Sequence, residues 1–446
     1  MTEGNITKNL FKFAFPLMVG NLLQQLYNIA DTLIVGRYLG EDALAAVGSS
    51  YTLMVFLTSI LLGLCMGSSA FFSIQFGSRN FERLKNGFFL SFLLIGGITL
   101  VLNIGVYFGM EHILWFLRVP EQVIELMREY LWYIFLGLSA TFLYNYFASL
   151  LRAIGNSVVP LFFLGISAIV NIGLDLLFVL VFTWGVKGAA VATVLAQYLS
   201  GIGILIYYWK KCAMLRVERR HCYWDGQVVK DIAGLSVLTC MQQSIMNFGI
   251  LMVQGLVNSF GPVVMAAFAA AVKIDSFAYS PVQDFGNAFS TYVAQNFGAG
   301  KKDRINQGMR SAVIAVFGFC FIISCLVCGF ARPLMEIFID HSRMDIITVG
   351  VEYLRIEAAF YFGIGLLFLL YGYYRAVKKP GMSVVLTIIS LGTRVILAYL
   401  LSGISWIGVK GIWMAVPIGW GLADLVGVGY LIYSQKKSIF TISIKH

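Results

Sequence analysis

The sequence predicts an all-α integral membrane protein, with twelve transmembrane helices in two six-helix lobes related by a parallel internal repeat. Three observations predict it: an apolar composition, twelve apolar runs of spanning length, and short motifs that recur between the two halves in register. Of 446 residues, 59% are hydrophobic and 12% charged, against about 25% charged in an ordinary soluble domain. No water-soluble core hides that much apolar surface, so lipid is the solvent for most of it. The formal charge of +10 does not point to nucleic acid, because the basic residues stand in short clusters between apolar runs, the pattern of membrane topology.

A crossing needs about 20 apolar residues. The first six runs are 10–36, 46–76, 86–110, 126–151, 157–182 and 187–209. The second six are 232–257, 264–296, 311–332, 347–374, 381–402 and 410–434. The run from Leu10 is too long for the apolar core of a signal peptide and reads as a full span. The chain thus divides into a lobe over 1–209, a polar linker over 210–231 and a lobe over 232–446. Twelve crossings put Lys8, Lys12, Arg79, Arg83, Lys85 and Arg152 on one side. The linker cations (Lys210, Lys211, Arg216, Arg219, Arg220, Lys230) join them, as do Lys301, Lys302, Arg304, Arg310, Arg375, Lys378, Lys379, Lys436, Lys437 and Lys445. The opposite side holds Arg37, Arg118, Arg128, Lys187, Arg332, Arg343 and Lys410, with Arg355 just inside a span. The positive-inside rule then places both termini in the cytoplasm of a cell with this protein in its plasma or inner membrane.

The halves resemble each other in register. Gly185-Val-Lys-Gly188 recurs as Gly408-Val-Lys-Gly411, and Arg152-Ala-Ile recurs as Arg375-Ala-Val at the same offset. Phe76-Gly77 and Leu44-Ala-Ala46 recur as Phe297-Gly298 and Met265-Ala-Ala267, at an offset only slightly shorter. Gln24-Gln25 matches Gln242-Gln243 at one shorter still. Six spans per half is an even number, so the halves share one orientation about an axis along the membrane normal. Two bundles of this kind face each other across a cleft, and rocking them opens it to each side in turn.

An ionisable group inside the bilayer costs roughly 2.5–3.5 kcal/mol on insertion scales and is a functional suspect. Asp31 sits in the first span with Gln24 and Asn28 on the same helix face, at i, i+4 and i+7 spacing. Asp175 follows Asn171 by four residues in the fifth span, and Thr193 and Gln197 repeat that spacing in the sixth. Carboxylates ringed by amides and a hydroxyl suit a proton or cation, so these seven residues form the predicted coupling site. The alternative is that both acids lie near the outer helix ends and face water. In the second half, Gln243, Asn247, Gln254 and Asn258 line one face of the seventh span, and Gln243 and Asn247 are candidate cleft contacts. Lys273, Asp275 and Asp284 lie in the eighth span, Glu357 in the tenth, Arg394 in the eleventh and Asp424 in the twelfth. Arg394 needs a partner, with Asp284 and Glu357 the candidates, and Asp284 and Arg394 are also candidate cleft contacts. Asp424 reads as a cap of its helix. Tyr27, Tyr361 and Tyr371 are candidate aromatic walls for an organic cation. Pro16 removes a backbone hydrogen bond within the first span and predicts a kink below Asp31.

No cofactor or metal is expected. Cys320, Cys325 and Cys328 have no neighbouring histidine or carboxylate, and His112, His221, His341 and His446 form no zinc pattern. No enzyme motif of the HExxH or GxSxG kind occurs. A channel would carry a selectivity loop or ring, which is absent from the sequence.

Several stretches look like those of a known family. Pro16…Gln24…Asp31-Thr-Leu-Ile-Val-Gly36-Arg-Tyr-Leu-Gly40-Glu-Asp-Ala43-Leu-Ala-Ala46 resembles the opening of MATE (multidrug and toxic compound extrusion) transporters. So do Arg152-Ala-Ile-Gly155-Asn156…Pro160, Asn171…Asp175 and Gln295-Asn-Phe-Gly298-Ala-Gly300. The resemblance covers nearly the whole chain. It implies a V-shaped fold of two lobes and a monomer that exports small organic cations in exchange for H⁺ or Na⁺. In the DinF-like branch, the first-lobe carboxylates match Asp31 and Asp175, and the nearby polar positions match Gln24, Asn171 and Thr193. In the NorM-like branch an acid in helix seven and another in helix ten matter. Here those regions read Met241-Gln-Gln243 and Gly363-Ile-Gly-Leu-Leu-Phe-Leu-Leu-Tyr-Gly372, without acids. The resemblance therefore implies proton coupling in the first lobe. The rival reading from the same superfamily is a lipid or oligosaccharide flippase, which wants cations in the cleft, where Arg394 and Lys273 are the candidates.

Overall fold

The computed structural model describes residues 1–116 and 121–443. Arg118, Lys445 and His446 lie outside the described residues, as do the side chains of Lys436 and Lys437. The described chain is helical throughout, with no strand. Its helices are α1 (Ile6–Tyr38), α2 (Glu41–Gly77), α3 (Phe81–Phe116), α4 (Glu121–Ile134 and Leu138–Ala153), α5 (Val158–Leu176) and α6 (Gly185–Lys211). The second set is α7 (Gly226–Asn258), α8 (Pro262–Gly298), α9 (Lys302–Gly329), α10 (Met344–Ala358 and Tyr361–Ala376), α11 (Pro380–Ser402) and α12 (Lys410–Ser443). Among the described residues, ten helices are long and apolar enough to span a bilayer, and the bent pair that forms α10 brings the number to eleven. The twelfth by length is α1, 33 residues long, in which Gln24, Gln25, Asn28 and Asp31 interrupt the apolar run.

Local chemistry sets the ends of these helices. Asn5 caps α1 by accepting from the Lys8 amide at 3.0 Å. Gly40 and Gly261, at matching places in the two halves, precede α2 and α8 with φ of 90° and 95°, a left-handed backbone that L side chains rarely adopt. Between α6 and α7 the chain forms two short 3₁₀ turns, and α7 already begins at Gly226. That connection is tied down: Asn86 donates to the carbonyls of His221 and Tyr223 at 2.9 and 2.8 Å, and Arg83 pairs with Asp231 at 2.6 Å.

Three helices are irregular, and the irregularities of α4 and α10 adjoin residues that line the cavity between the halves. A 3₁₀ turn at Phe135–Gly137 interrupts α4, and the carbonyls of Phe135 and Leu136 accept from Asn103 at 2.7 Å and Tyr198 at 3.0 Å. A π turn, Leu177–Val181, extends α5 directly after Asp175; such turns recur at functional sites. The two parts of α10 meet at 52°. By contrast, α1 runs without interruption through Pro16.

One buried apolar cluster belongs mainly to the second half, with Leu10, Phe13, Ala14 and Ile74 added from the first, and two more occupy the first half. The outer surface is apolar: Phe108 is 85% exposed and Trp406 83%, a surface that water does not tolerate over such lengths of helix. The halves meet where α1 and α2 cross α7 and α8. Gly77 and Gly298, a repeat-related pair, make this possible. A Cβ on Gly77 would strike the Gln295 backbone, and one on Gly298 would strike the Ile74 backbone. Gln295 donates to the Ala153 carbonyl at 2.7 Å, and Thr7 pairs with Ser311 at 2.7 Å. Lys301 and Arg304 hold the carbonyls of Thr2 and Gly4. All of these contacts lie at the end that carries the basic loops, hereafter the basic end.

Candidate functional site

A cavity of about 760 Å³ lies between the halves. Of the predicted residues, Pro16, Gln24, Asn28, Asp31, Thr193, Gln197, Gln243, Asn247, Asp284 and Arg394 line it. Asp175 and Asn171 lie behind the wall, 0% and 2% exposed, so Asp175 does not face water. Gln254 and Asn258 are bonded to each other at 2.8 Å and take no part in the lining. Tyr27 and Tyr371 line the cavity, whereas Tyr361 does not.

The first-half site is built by α1, α4, α5 and α6. Asp31 and Asp175 lie within electrostatic reach of each other and of Tyr130 of α4, which with Asp31 lines the cavity. Asn171 donates to the Thr193 hydroxyl at 3.2 Å. One oxygen of Asp31, both of Asp175 and the amide oxygen of Asn171 are buried without a hydrogen-bond partner. Among the described residues no lysine or arginine makes a salt bridge with either acid. A buried carboxyl group and a half-buried one at the cavity wall, lacking a salt-bridged cation among the described residues, are poised to take up a cation or proton.

The second half contains an acidic pair of its own. Asp275 of α8 and Glu357, at the break in α10, are 4% and 1% exposed. Tyr361 donates to Asp275 at 2.5 Å and Tyr353 stands 3.5 Å from its other oxygen. Arg394 of α11 acts electrostatically on both acids. Arg394 nevertheless makes no salt bridge with Asp275, Glu357 or Asp284 among the described residues, and its Nε is buried without a partner. Asp284, the other candidate, accepts instead from Asn21 at 3.0 Å. Asp424 is no cap: it lies well inside α12, 8% exposed, with one oxygen unpartnered.

Two cations expected in surface loops also reach the cavity. Arg152 and Arg375 occupy the last turns of α4 and α10 and line its basic end. Arg375 donates to Asn287 at 3.0 Å and to Ser290 at 3.3 Å. Lys273, expected in the cleft, is exposed and does not line it. Cys320, Cys325 and Cys328 are free thiols, and among the described residues no cluster of three metal-ligating side chains occurs.

The MatE family model matches residues 16–177 and 237–400, once in each half. The chain is 30% identical over 440 residues to the probable multidrug resistance protein YpnP of Bacillus subtilis, covering 98% of this chain and 97% of that one. It is 27% identical to the probable multidrug resistance protein YoeA of the same organism, over 99% and 96% of the two chains. Among solved structures, an outward-facing multidrug resistance MATE family transporter of the MOP superfamily superposes with a TM-score of 0.90 at 22% identity, over 96% of this chain and 95% of that one.

Proposed function

This chain belongs to the MatE family of multi-pass membrane transporters, and from that premise we propose that it is a secondary active exporter of small organic cations, driven by exchange for H⁺ at Asp31 and Asp175. One observation carries the proposal: a carboxyl pair without a salt-bridged cation among the described residues and with unpartnered buried oxygens, Asp175 buried behind the wall and Asp31 half-buried within it, at a cavity large enough for a drug-sized molecule. Protonation removes the cost of two like charges in a site of low dielectric, so proton uptake and release change the free energy of the first bundle. Asn171, Thr193, Gln24, Asn28 and Gln197 supply the dipoles that orient the exchanging group. The relatives' names support multidrug export.

The crossing at Gly77 and Gly298 closes the cleft at the basic end, and alternating access requires that crossing to part. The charge asymmetry of the loops assigns the basic end, with both termini, to the cytoplasm. Closure there corresponds to a cleft open to the outside, the state from which an exporter releases its substrate and accepts protons. Pro16 leaves one backbone carbonyl of α1 unpaired three turns or more from Asp31, a place for that helix to bend as the proton moves.

The test is proton movement in energised everted vesicles on addition of ethidium. The wild type is expected to relax the pH gradient, and Asp31→Asn to lose that response. A panel of organic cations that leaves the gradient unchanged in the wild type would overturn proton-coupled cation export.

A further inference from the structure

The cavity carries two arginines and one acid, Asp284, towards its basic end, and three acids with one arginine, Arg394, beyond. Asp31, Asp275 and Glu357 belong to the half away from the basic end, whereas Arg152 and Arg375 occupy the closed, basic end. The two arginines stand at equivalent positions of the repeat. Neither makes a salt bridge among the described residues. Arg375 is 5% exposed and has neutral partners, Asn287 and Ser290. Arg152 buries an Nε without any partner. Arg152 acts electrostatically on Asp284, whose carboxylate already accepts from Asn21 at 3.0 Å. A buried guanidinium is costly unless it is paired, and here the buried Arg375 and the half-buried Arg152 share a pocket end with one acid.

We propose that Arg152 and Arg375 form a floor that receives a carboxylate on the transported molecule, so that preferred substrates are amphiphilic zwitterions seated with the anionic group at the basic end and the cationic, aromatic part among the acids and tyrosines beyond. Guanidinium is the group best suited to hold a carboxylate through two parallel N–H donors. Ser290 and Asn287 fix Arg375 from behind, which leaves its remaining donors for the ligand. The long side chains reach the cavity because Cα–Cβ bonds tilt towards the helix N-terminus, which turns a residue of the last helical turn back into the membrane. The inference rests on the exporter reading and adds the class of molecule exported.

Rhodamine 110 and rhodamine 123 test it, being the same dye as the free carboxylic acid and as its methyl ester. Equilibrium dialysis against the protein in phosphatidylcholine nanodiscs gives each affinity. R152Q and R375Q are each expected to weaken rhodamine 110 by about tenfold (~1.4 kcal/mol) and to tighten rhodamine 123 by about twofold, because a nearby positive charge is gone. R152K and R375K, which keep the charge and lose the two-pronged geometry, are expected to fall between. A floor that serves only structure moves both dyes together or neither, and either result overturns the proposal. So does a wild type that fails to retain rhodamine 110. If replacing a third of the phosphatidylcholine by phosphatidylglycerol abolishes the arginine dependence, the floor belongs to lipid headgroups and the substrate assignment fails. Export of rhodamine 123 by vesicles that show no arginine effect defeats this inference alone, whereas no export of either dye defeats the exporter reading first.

Discussion

The two halves carry equivalent scaffolds and opposite electrostatics. Tyr130 and Tyr353 occupy the same position of the repeat, and each flanks an acidic pair. The 3₁₀ break in α4 and the bend in α10 fall at matching positions of the repeat. Asn171 and Arg394 correspond in the same register. In the first half that position supplies a neutral amide bonded to Thr193, and in the second it supplies a guanidinium that acts on Asp275 and Glu357. One substitution at one repeat position thus separates an acidic pair with no cation acting on it from one that has a guanidinium within electrostatic reach, though not in a salt bridge. The first pair gains or loses a charge whenever a proton or cation binds, and can drive a conformational equilibrium. The second has a nearby guanidinium and two tyrosine hydroxyls on Asp275, so its charge is less free to change.

The difference is broken or upheld most directly by neutralising an acid in each half. Asp31→Asn or Asp175→Asn is expected to lower proton-coupled ethidium export by about a hundredfold or more, since the coupling group itself is gone. Glu357→Gln is expected to cost no more than about tenfold, through altered packing. Vesicle export assays with matched protein levels decide this, and a Glu357→Gln variant as inactive as Asp31→Asn would show that both halves couple.

Next in size is the effect of moving the counter-charge. Arg394→Met removes the positive charge nearest two buried acids, and buried charges without compensation are costly. Its thermal midpoint in detergent is expected to fall well below that of the wild type, and the double variant E357Q/R394M to recover most of the loss. Asn171→Arg performs the reverse operation. It brings a guanidinium to the first pair, and the expected outcome is a folded protein that binds ethidium but exports it at least tenfold more slowly. An undiminished rate would mean that the absence of a counter-cation in the first half is incidental.

What can be read from the sequence is what neighbours in sequence decide. Twelve apolar runs and the repeat are local signals, and so is the i, i+4 spacing of Asn171 and Asp175. The second acidic site is not legible there, although Asp275 and Glu357 stand out as charges in apolar spans. Its donor and acceptor, Tyr361 and Asp275, are 86 residues apart, and nothing short of the packing of α8 against the second part of α10 brings them together. The acid-free stretch of helix ten, Gly363–Gly372, lies beyond the bend, while Glu357 lies just before it. A cation at the end of an apolar run resembles an interfacial anchor, which is why Arg152 and Arg375 read as loop residues; the backward tilt of helical side chains sends them into the cavity instead. Asp424 reads as a cap for a similar reason, whereas α12 begins at Lys410 and carries Asp424 well inside it.

The smallest effect separates two tyrosines of the second site. Tyr361 donates to Asp275 at 2.5 Å, whereas Tyr353 stands at 3.5 Å with a less favourable reach. A hydrogen bond to a charged acceptor contributes about 1.5–3 kcal/mol and its strength falls steeply with distance. Tyr361→Phe is therefore expected to lower the thermal midpoint measurably, by the equivalent of roughly 1.5 kcal/mol or more. Tyr353→Phe, which loses only a long hydrogen bond, is expected to cost less, about 0.5–1 kcal/mol. If Tyr353→Phe proves the costlier of the two, the carboxylate of Asp275 is held from the Tyr353 side. The second site would then copy the first, where Tyr130 lies within electrostatic reach of the acids, more closely than its arginine implies.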